Sequence, residues 1–375
     1  MTTTAPVPAD SEQKNQALGL LRRIWRGISV PLVAVLLALL IGAILLIISG
    51  SNPIQAYAAL FQGAFGSPVA IQRTLEKATP LIFSGLAVAF AFKAGLFNIG
   101  AQGQLLIGAI VAAYIGFAVT GLPAIIHLPL ALLAGGLAGA LYGAIPGFLK
   151  VYTGAHEVIV TIMLNYIAIN ITDYLADGPW KDPSPGNIVA RTPLIQESAR
   201  LPIISNIPLG FVFAVLAAII VWWLLFRTTL GYEIRTVGLS SSAAQYAGIR
   251  VARIIVLTMV ISGFLAGLGG AVETLGIVGR FQPGFNAGLG FDGITVALLA
   301  KTNPIGVIPA AILLGAMRAG ASQMQFSAGV AKEITDVITA FILFFVAADV
   351  IVKKLIRQKT SEDDKITLSS GWGSH

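Results

Sequence analysis

The sequence predicts an all-α protein, a polytopic transmembrane helix bundle of about ten membrane segments, some short or discontinuous, with both termini cytoplasmic. Three observations lead there. The chain is 56% hydrophobic and 11% charged, with mean hydropathy +0.84, too little charge to cover a soluble domain of this length. Several uncharged runs reach the roughly 20 residues that cross a bilayer core. These are Ile28–Ser49, Leu201–Phe226 and Gly103–Leu149, the last with room for two passages around a break at Gly121–Pro123. Basic residues also gather on alternate connections, as the positive-inside rule requires.

Residues 1–27 are polar, end in Arg22, Arg23 and Arg26, and form the expected cytoplasmic N-terminal tail. The apolar run that follows is longer than a signal-peptide core of about 7–15 residues and has no convincing small-residue cleavage site, so it reads as an uncleaved first span. Hydropathy and turn signals place segments near 28–49, 78–92, 103–119, 127–149, 158–175, 207–226, 254–275, 288–300, 304–322 and 335–352. The expected membrane domain is therefore 28–352. The second and eighth segments are short, and both border glycine-rich polar sequence.

Two polar connections stand out, a proline-rich stretch of mixed charge at 177–206 and the basic stretch 227–253. Arg227, Arg235, Arg250 and Arg253 face only Glu233 in the second, and the tail 353–375 opens with Lys353, Lys354, Arg357 and Lys359. Both belong inside, and the end of the tail is expected to be disordered. The stretch 173–200 has three basic and four acidic residues and belongs outside. An even number of crossings satisfies all of these constraints.

The formal charge of +7 would suggest nucleic acid in a soluble protein. Here the cations lie in tails and connections, where they set topology and meet anionic membrane lipid. With no cysteine there is no thiol chemistry. His127, His156 and His375 are scattered without metal-ligand spacing, and Asp363 and Asp364 sit in the polar tail. No metal site, resident cofactor or catalytic constellation is expected. His127 follows an outer turn and reads as an interfacial residue.

Glycine spacing indicates how the helices pack. Gly135, Gly139, Gly143 and Gly147 recur every fourth residue, and Gly263 and Gly267 repeat the spacing. Helices in lipid gain little from hydrophobic association, so such small faces mark close packing.

Three polar stretches interrupt the apolar pattern. FKAGLFNIGAQGQLL, 92–106, places Asn98, Gln102 and Gln104 among glycines. Irregular backbone persists in hydrocarbon only within protein or beside a wet cavity, and broken helices mark transport sites. It reads either as such a break or as a short cytoplasmic loop; the preceding apolar piece, Thr79–Phe92, is shorter than a span and favours the break. GLGFDGITVALLAKTNPIG, 288–306, is a second interruption, with Asp292, Thr295, Lys301 and Asn303. Glu157, Thr161 and Asn165, four residues apart, share one face of a helix. That stripe fits either an aqueous path or hydrogen bonds between helices. Phe92, Phe97 and Tyr166 could stack on a planar solute or serve packing alone. The pathway candidates are Phe92, Phe97, Asn98, Gln102, Gln104, Thr161, Asn165 and Asp292. In 227–253, Ser240–Ala247 can form a short serine-capped helix.

Four stretches together resemble a known family: GLFNIGAQGQLLIGA at 95–109, EVIVTIMLNYIA at 157–168, GYEIRTVGLSSSAAQYAGIRVAR at 231–253 followed by ISGFLAGLGGA, and GFDGITVALLAKTNPIGV at 290–307. The chain is similar to the permease subunits of bacterial ABC importers, in the branch shared by branched-chain amino-acid, ribose, simple-sugar and nucleoside systems. The outer loop containing GPWKDP, 178–183, resembles the longer of two paired permeases in nucleoside systems served by a basic-membrane-protein lipoprotein.

The resemblance implies a second permease subunit, an ABC ATPase that binds ATP and Mg on its own chain, and an extracytoplasmic solute-binding lipoprotein. It also implies a location in the bacterial inner membrane. The short helix at 240–248, with Ser240, Ser241, Ala243, Ala244, Tyr246 and Gly248, would couple ATP-driven closure to the bundle. This chain has no G-x-x-x-x-G-K-[ST] with which to cradle phosphates itself. A nucleoside is the expected solute, with a simple sugar or branched-chain amino acid as alternatives. A secondary transporter driven by an ion gradient would instead need a deep ionisable group, for which Glu157, Asp292 and Asp349 are the candidates.

Overall fold

The computed structural model describes residues 9–284 and 288–348, with side chains from Ser29 onward. Among these residues the chain is almost wholly helical, and eight helices are long and apolar enough to cross a membrane. In order they are α1 (Ala9–Ile48), α2 (Pro53–Phe65), α3 (Pro68–Lys93), α4 (Ala101–Ala118), α5 (Ala124–Thr153), α6 (Glu157–Asp177) and α7 (Leu209–Arg227). There follow α8 (Thr229–Leu239), α9 (Ser241–Tyr246), α10 (Val251–Glu273), α11 (Leu289–Leu299), α12 (Pro304–Ala328) and α13 (Glu333–Ala347). A two-residue hairpin in the 178–208 loop pairs β1 (Ile203–Ile204) with β2 (Ile207–Pro208). Its turn residues, Ser205 and Asn206, both have positive φ, as a two-residue hairpin turn demands.

Helix starts follow short-range chemistry. The Asn52 carboxamide oxygen accepts the Ile54 N–H at 2.9 Å before Pro53, and the Ser67 hydroxyl accepts the Ala70 N–H before Pro68. Asn303 repeats the device before Pro304. A polar cap followed by proline suits the first turn, whose N–H groups have no helical partner.

At the centre lies α3, almost completely buried from Ala78 to Ala91, with α7, α10, α11 and α12 packed against it. Against α10 lie α4 and α5, along a seam of glycines. A Cβ on Gly139 would stand 2.4 Å from the Gly263 carbonyl oxygen, and one on Gly267 would stand 2.5 Å from that of Gly135. Gly143 meets the Met259 carbonyl, and Gly147 lies against Val256 and Met259. On α4, Gly108 faces Gly267 with no room for a methyl group. The backbones touch, so dispersion contacts replace the hydrophobic drive that lipid removes.

Several sequence expectations change. The second segment is not short: α3 runs 26 residues, and its N-terminal turns were masked by Arg73, Glu76 and Lys77. The helix α2 was not expected, nor was α8. Backbone from Ala9 onward continues α1, so residues 9–27 of the expected tail are helical. His127 is fully buried, its Nδ1 2.7 Å from the Ser198 hydroxyl and its Nε2 3.0 Å from the Ile115 carbonyl. It pins the 178–208 loop to α4 and α5 and is closed off from the surface of the chain. In the same loop Asp182 accepts hydrogen bonds from the Ser184 hydroxyl and N–H and pairs with Arg191, which holds its carboxyl below the usual range. Asp349, Asp363, Asp364, His375 and the tail 353–375 lie outside the described residues.

The seam yields a direct test. Gly139→Leu or Gly263→Leu should force α5 from α10 and cost about 1–3 kcal/mol or more, lowering the melting temperature in detergent or nanodiscs. Leu137→Ala, whose side chain is 56% exposed on the outer surface of α5, should leave it nearly unchanged.

Candidate functional site

The chain leaves helical geometry between α3 and α4, and side-chain amides hold that break together. Gly95 takes a left-handed turn (φ 70°) directly against Gly238 of α8. Asn98, 1% exposed, donates from Nδ2 to the Gln104 carboxamide oxygen at 2.8 Å and to the Ser262 hydroxyl at 2.7 Å. Gln104 donates back to Asn98 Oδ1, and Ser262 donates to the Ala87 carbonyl at 2.6 Å. From α6, Asn165 accepts the Gly103 N–H at 2.8 Å and donates to the Ile99 carbonyl at 3.0 Å. The Gly103 N–H and the Ile99 carbonyl, left open by the break, therefore meet the Asn165 amide, as burial demands.

The break is deep. Ser262 lies eleven positions along α10 from Val251, about 16 Å at 1.5 Å per residue. That is near the middle of the 28-residue candidate span Val251–Val278.

The two sequence interruptions meet in space. Gln102 Oε1 accepts the Gly290 N–H of α11 at 2.7 Å, and a Cβ on Gly290 would collide with the Gln102 backbone. The Ser84 hydroxyl donates to the Leu289 carbonyl, and Gly293 leaves no space beside Ser84. The short helix α11 thus begins inside the bundle, held by α3 and α4. In its first turn Asp292 forms an ion pair with Arg318 of α12, both side chains partly open.

The other pathway candidates divide. Phe92 and Phe97 are half-buried and pack edge to face, with centroids 5.0 Å apart. Thr161 is buried and donates to the Glu157 carbonyl, while Glu157 pairs with Lys150. Tyr166 is 61% exposed on the far face of α6, away from Asn165, and does not join the cluster. Asn98, Gln104 and Asn165 are committed to protein partners, so in this conformation they clamp helices.

At the arginine-bearing end, α8 and α9 link α7 to α10. The Ser240 hydroxyl caps α9 by accepting the Ala243 N–H. Ser241, Ala243, Tyr246 and Gly248 are exposed, Tyr246 at 94%. Ala244 is completely buried against the bundle. It anchors α9 from beneath.

Sequence reading missed Ser262, Arg318 and Glu273. Ser262 hides in a glycine-rich run. Arg318 was legible as a lone cation in the apolar run of α12, the kind of residue that marks a site within a membrane.

Eight helices able to span a membrane, with two interrupted segments meeting inside the bundle, define a multi-pass membrane protein. The chain belongs to the branched-chain amino acid transport system / permease component family, whose model matches residues 70–347. It is 44% identical over 338 residues to the guanosine ABC transporter permease protein NupP of Bacillus subtilis (strain 168), covering 86% of this chain and 94% of that protein. It is 38% identical over 341 residues to the nucleoside ABC transporter permease protein NupB of Lactococcus lactis subsp. cremoris (strain MG1363), covering 88% and 93%. The guanosine ABC transporter permease protein NupQ of the same Bacillus matches at 29% identity over 261 residues, 66% of this chain and 80% of that protein.

Asn165→Ala should leave the buried Gly103 N–H and Ile99 carbonyl without partners, at about 1–3 kcal/mol each. Hydrogen exchange at Gly103 is then expected to accelerate by on the order of tenfold or more, while amides in the middle of α5 keep their protection.

Proposed function

We propose that this chain is a permease subunit of an ATP-driven importer in the bacterial inner membrane, forming a pathway for nucleosides or closely related sugar-containing solutes. The observation that carries the reading is the Gln102–Gly290 contact, where a chain of this permease family joins two interrupted helices inside the bundle. Relatives named for guanosine and nucleosides, matched along most of their length, support the choice of solute.

Two distinct permeases from one Bacillus resemble this chain to different degrees. That favours a second, different permease subunit as its partner. ATP hydrolysis and Mg binding then belong to an ATPase chain at the arginine-bearing face, and an extracytoplasmic lipoprotein delivers solute. In this reading both termini are cytoplasmic, the segment 177–206 is outside, and 227–253 is the coupling segment. Phe92, Phe97 and Asp292 border the path, because they stay partly open beside the amide clamp. Asn98, Gln102, Gln104, Thr161 and Asn165 set its shape, and would meet solute only when the clamp rearranges.

The exposed edge of α9 is the coupling surface. Tyr246 projects from it as an aromatic anchor of the kind that dominates interfaces.

Uptake of labelled guanosine and other nucleosides in cells lacking the gene should fall to background and return on complementation. Unchanged uptake would remove the nucleoside. Tyr246→Asp should assemble normally yet lower solute-stimulated ATP hydrolysis by about tenfold or more, the scale of a lost hot spot. Normal hydrolysis with normal assembly would move the coupling surface elsewhere. Transport by this chain alone, driven by an ion gradient in proteoliposomes, would replace the ATP-driven class with an ion-coupled one.

A further inference from the structure

The charges nearest the interrupted helices are unevenly paired. Arg318 of α12 binds the Asp292 carboxylate of α11. A second carboxylate, Glu273 at the end of α10, is 3% exposed, and its Oε2 has no hydrogen-bond partner among the described residues. The cations that act on Glu273 are Lys77 and Arg318, with the acidic Glu76 nearby. Asp336 of α13 adds a further negative charge near Asp292.

Arg318 pairs with Asp292 and lies within the electrostatic field of Glu273. Gly315, one turn before it on α12, lies against Ala78 of α3, and Gly293 beside Asp292 lies against Ser84. Glu273 follows Val272, which touches Gly210, itself beside Thr79. By these contacts Asp292 lies level with Ser84 and Glu273 close to Thr79, more than one turn apart along α3. Immediately after Glu273 the helix opens into a π-helical turn, Thr274–Val278, a distortion frequent at functional sites.

A carboxylate buried without a donor is costly unless a partner reaches it in some state of the protein. A guanidinium within the field of two carboxylates can serve either. The side of the Asp292–Arg318 pair left open by this chain cannot face hydrocarbon without large cost, so it faces water or the second permease. Phe291 beside it is 44% exposed.

We propose that Asp292, Arg318 and Glu273 form a recognition site for vicinal hydroxyl groups of the solute, in which the solute takes over the Asp292 carboxylate while Arg318 moves to Glu273. This deepens the nucleoside reading above and rests on it. Two adjacent ribose hydroxyls donate to the two oxygens of Asp292, replacing the donors that Arg318 withdraws. Glu273 acquires the donor it lacks, and Asp292 and Arg318 stay partnered in both arrangements. Asp292 contacts the solute, and Glu273 is a positioning residue that acts through Arg318.

The test uses the assembled importer in proteoliposomes and compares initial uptake of guanosine and 2′-deoxyguanosine. Wild-type protein should favour guanosine, because one hydrogen bond to a charged group is worth about tenfold or more. Asp292→Asn should reduce the ribo-to-deoxyribo ratio toward one. Glu273→Gln should lower maximal uptake of both solutes while preserving their ratio and the half-saturating concentrations. Should Asp292→Asn fail to assemble, the exchange Asp292→Arg with Arg318→Asp keeps an ion pair but moves the carboxylate off α11, and it should assemble with the preference lost.

A wild-type ratio near one, or a ratio unchanged in an assembled Asp292 variant, overturns the site while leaving the nucleoside permease standing. Wild-type protein that transports neither guanosine nor 2′-deoxyguanosine overturns the nucleoside reading and this site with it.

Discussion

A peptide bond inside hydrocarbon must find its hydrogen-bond partners in the protein itself. Continuous helices meet that demand automatically, whereas the backbone between α3 and α4 does not. Here Asn165 takes up the Gly103 N–H and the Ile99 carbonyl that the break exposes, while Asn98, Gln104 and Ser262 bond to one another beside it. Amides suit the role because each offers a donor and an acceptor without a charge to desolvate. The same constraint explains why Gln102 reaches α11, whose first N–H groups would otherwise have no acceptor within the bundle.

This clamp depends on close helix packing. Ser262 is adjacent to Gly263, so the helix that supplies a hydroxyl to Asn98 and Ala87 also presses its glycines onto α5. Because Gly108 and Gly267 bring α4 and α10 into backbone contact, Gln104 on the first turns of α4 lies within reach of Asn98. Small residues thus set the distances, and polar residues use them. The two features that looked separate along the chain, glycine faces and amide-bearing breaks, are parts of one arrangement.

Much of this was legible beforehand. Hydropathy located most spans, and the glycine spacing named both sides of the α5–α10 seam. The interruptions at 92–106 and 288–306 were recognisable as breaks. Their meeting was not, because the Gln102–Gly290 bond joins residues 188 positions apart and the Asn165–Gly103 bond joins residues 62 apart. No local pattern encodes such a pairing. The N-terminal part of α3 escaped notice because Arg73, Glu76 and Lys77 lower its hydropathy, although Ser67–Pro68 announces its start. Exposed Ser241 and buried Ala244 have equally small side chains, and only the packing of α9 tells them apart.

The most direct examination of this account is a density map of the chain, assembled with its partners in a lipid nanodisc, at a resolution that shows side chains. Asn98 is expected within the bilayer slab, bridging Gln104 and Ser262, with Gln102 against Gly290. Density placing Asn98 and Gln102 in the aqueous cytosol, with their amides solvated and α11 detached from α4, would contradict it.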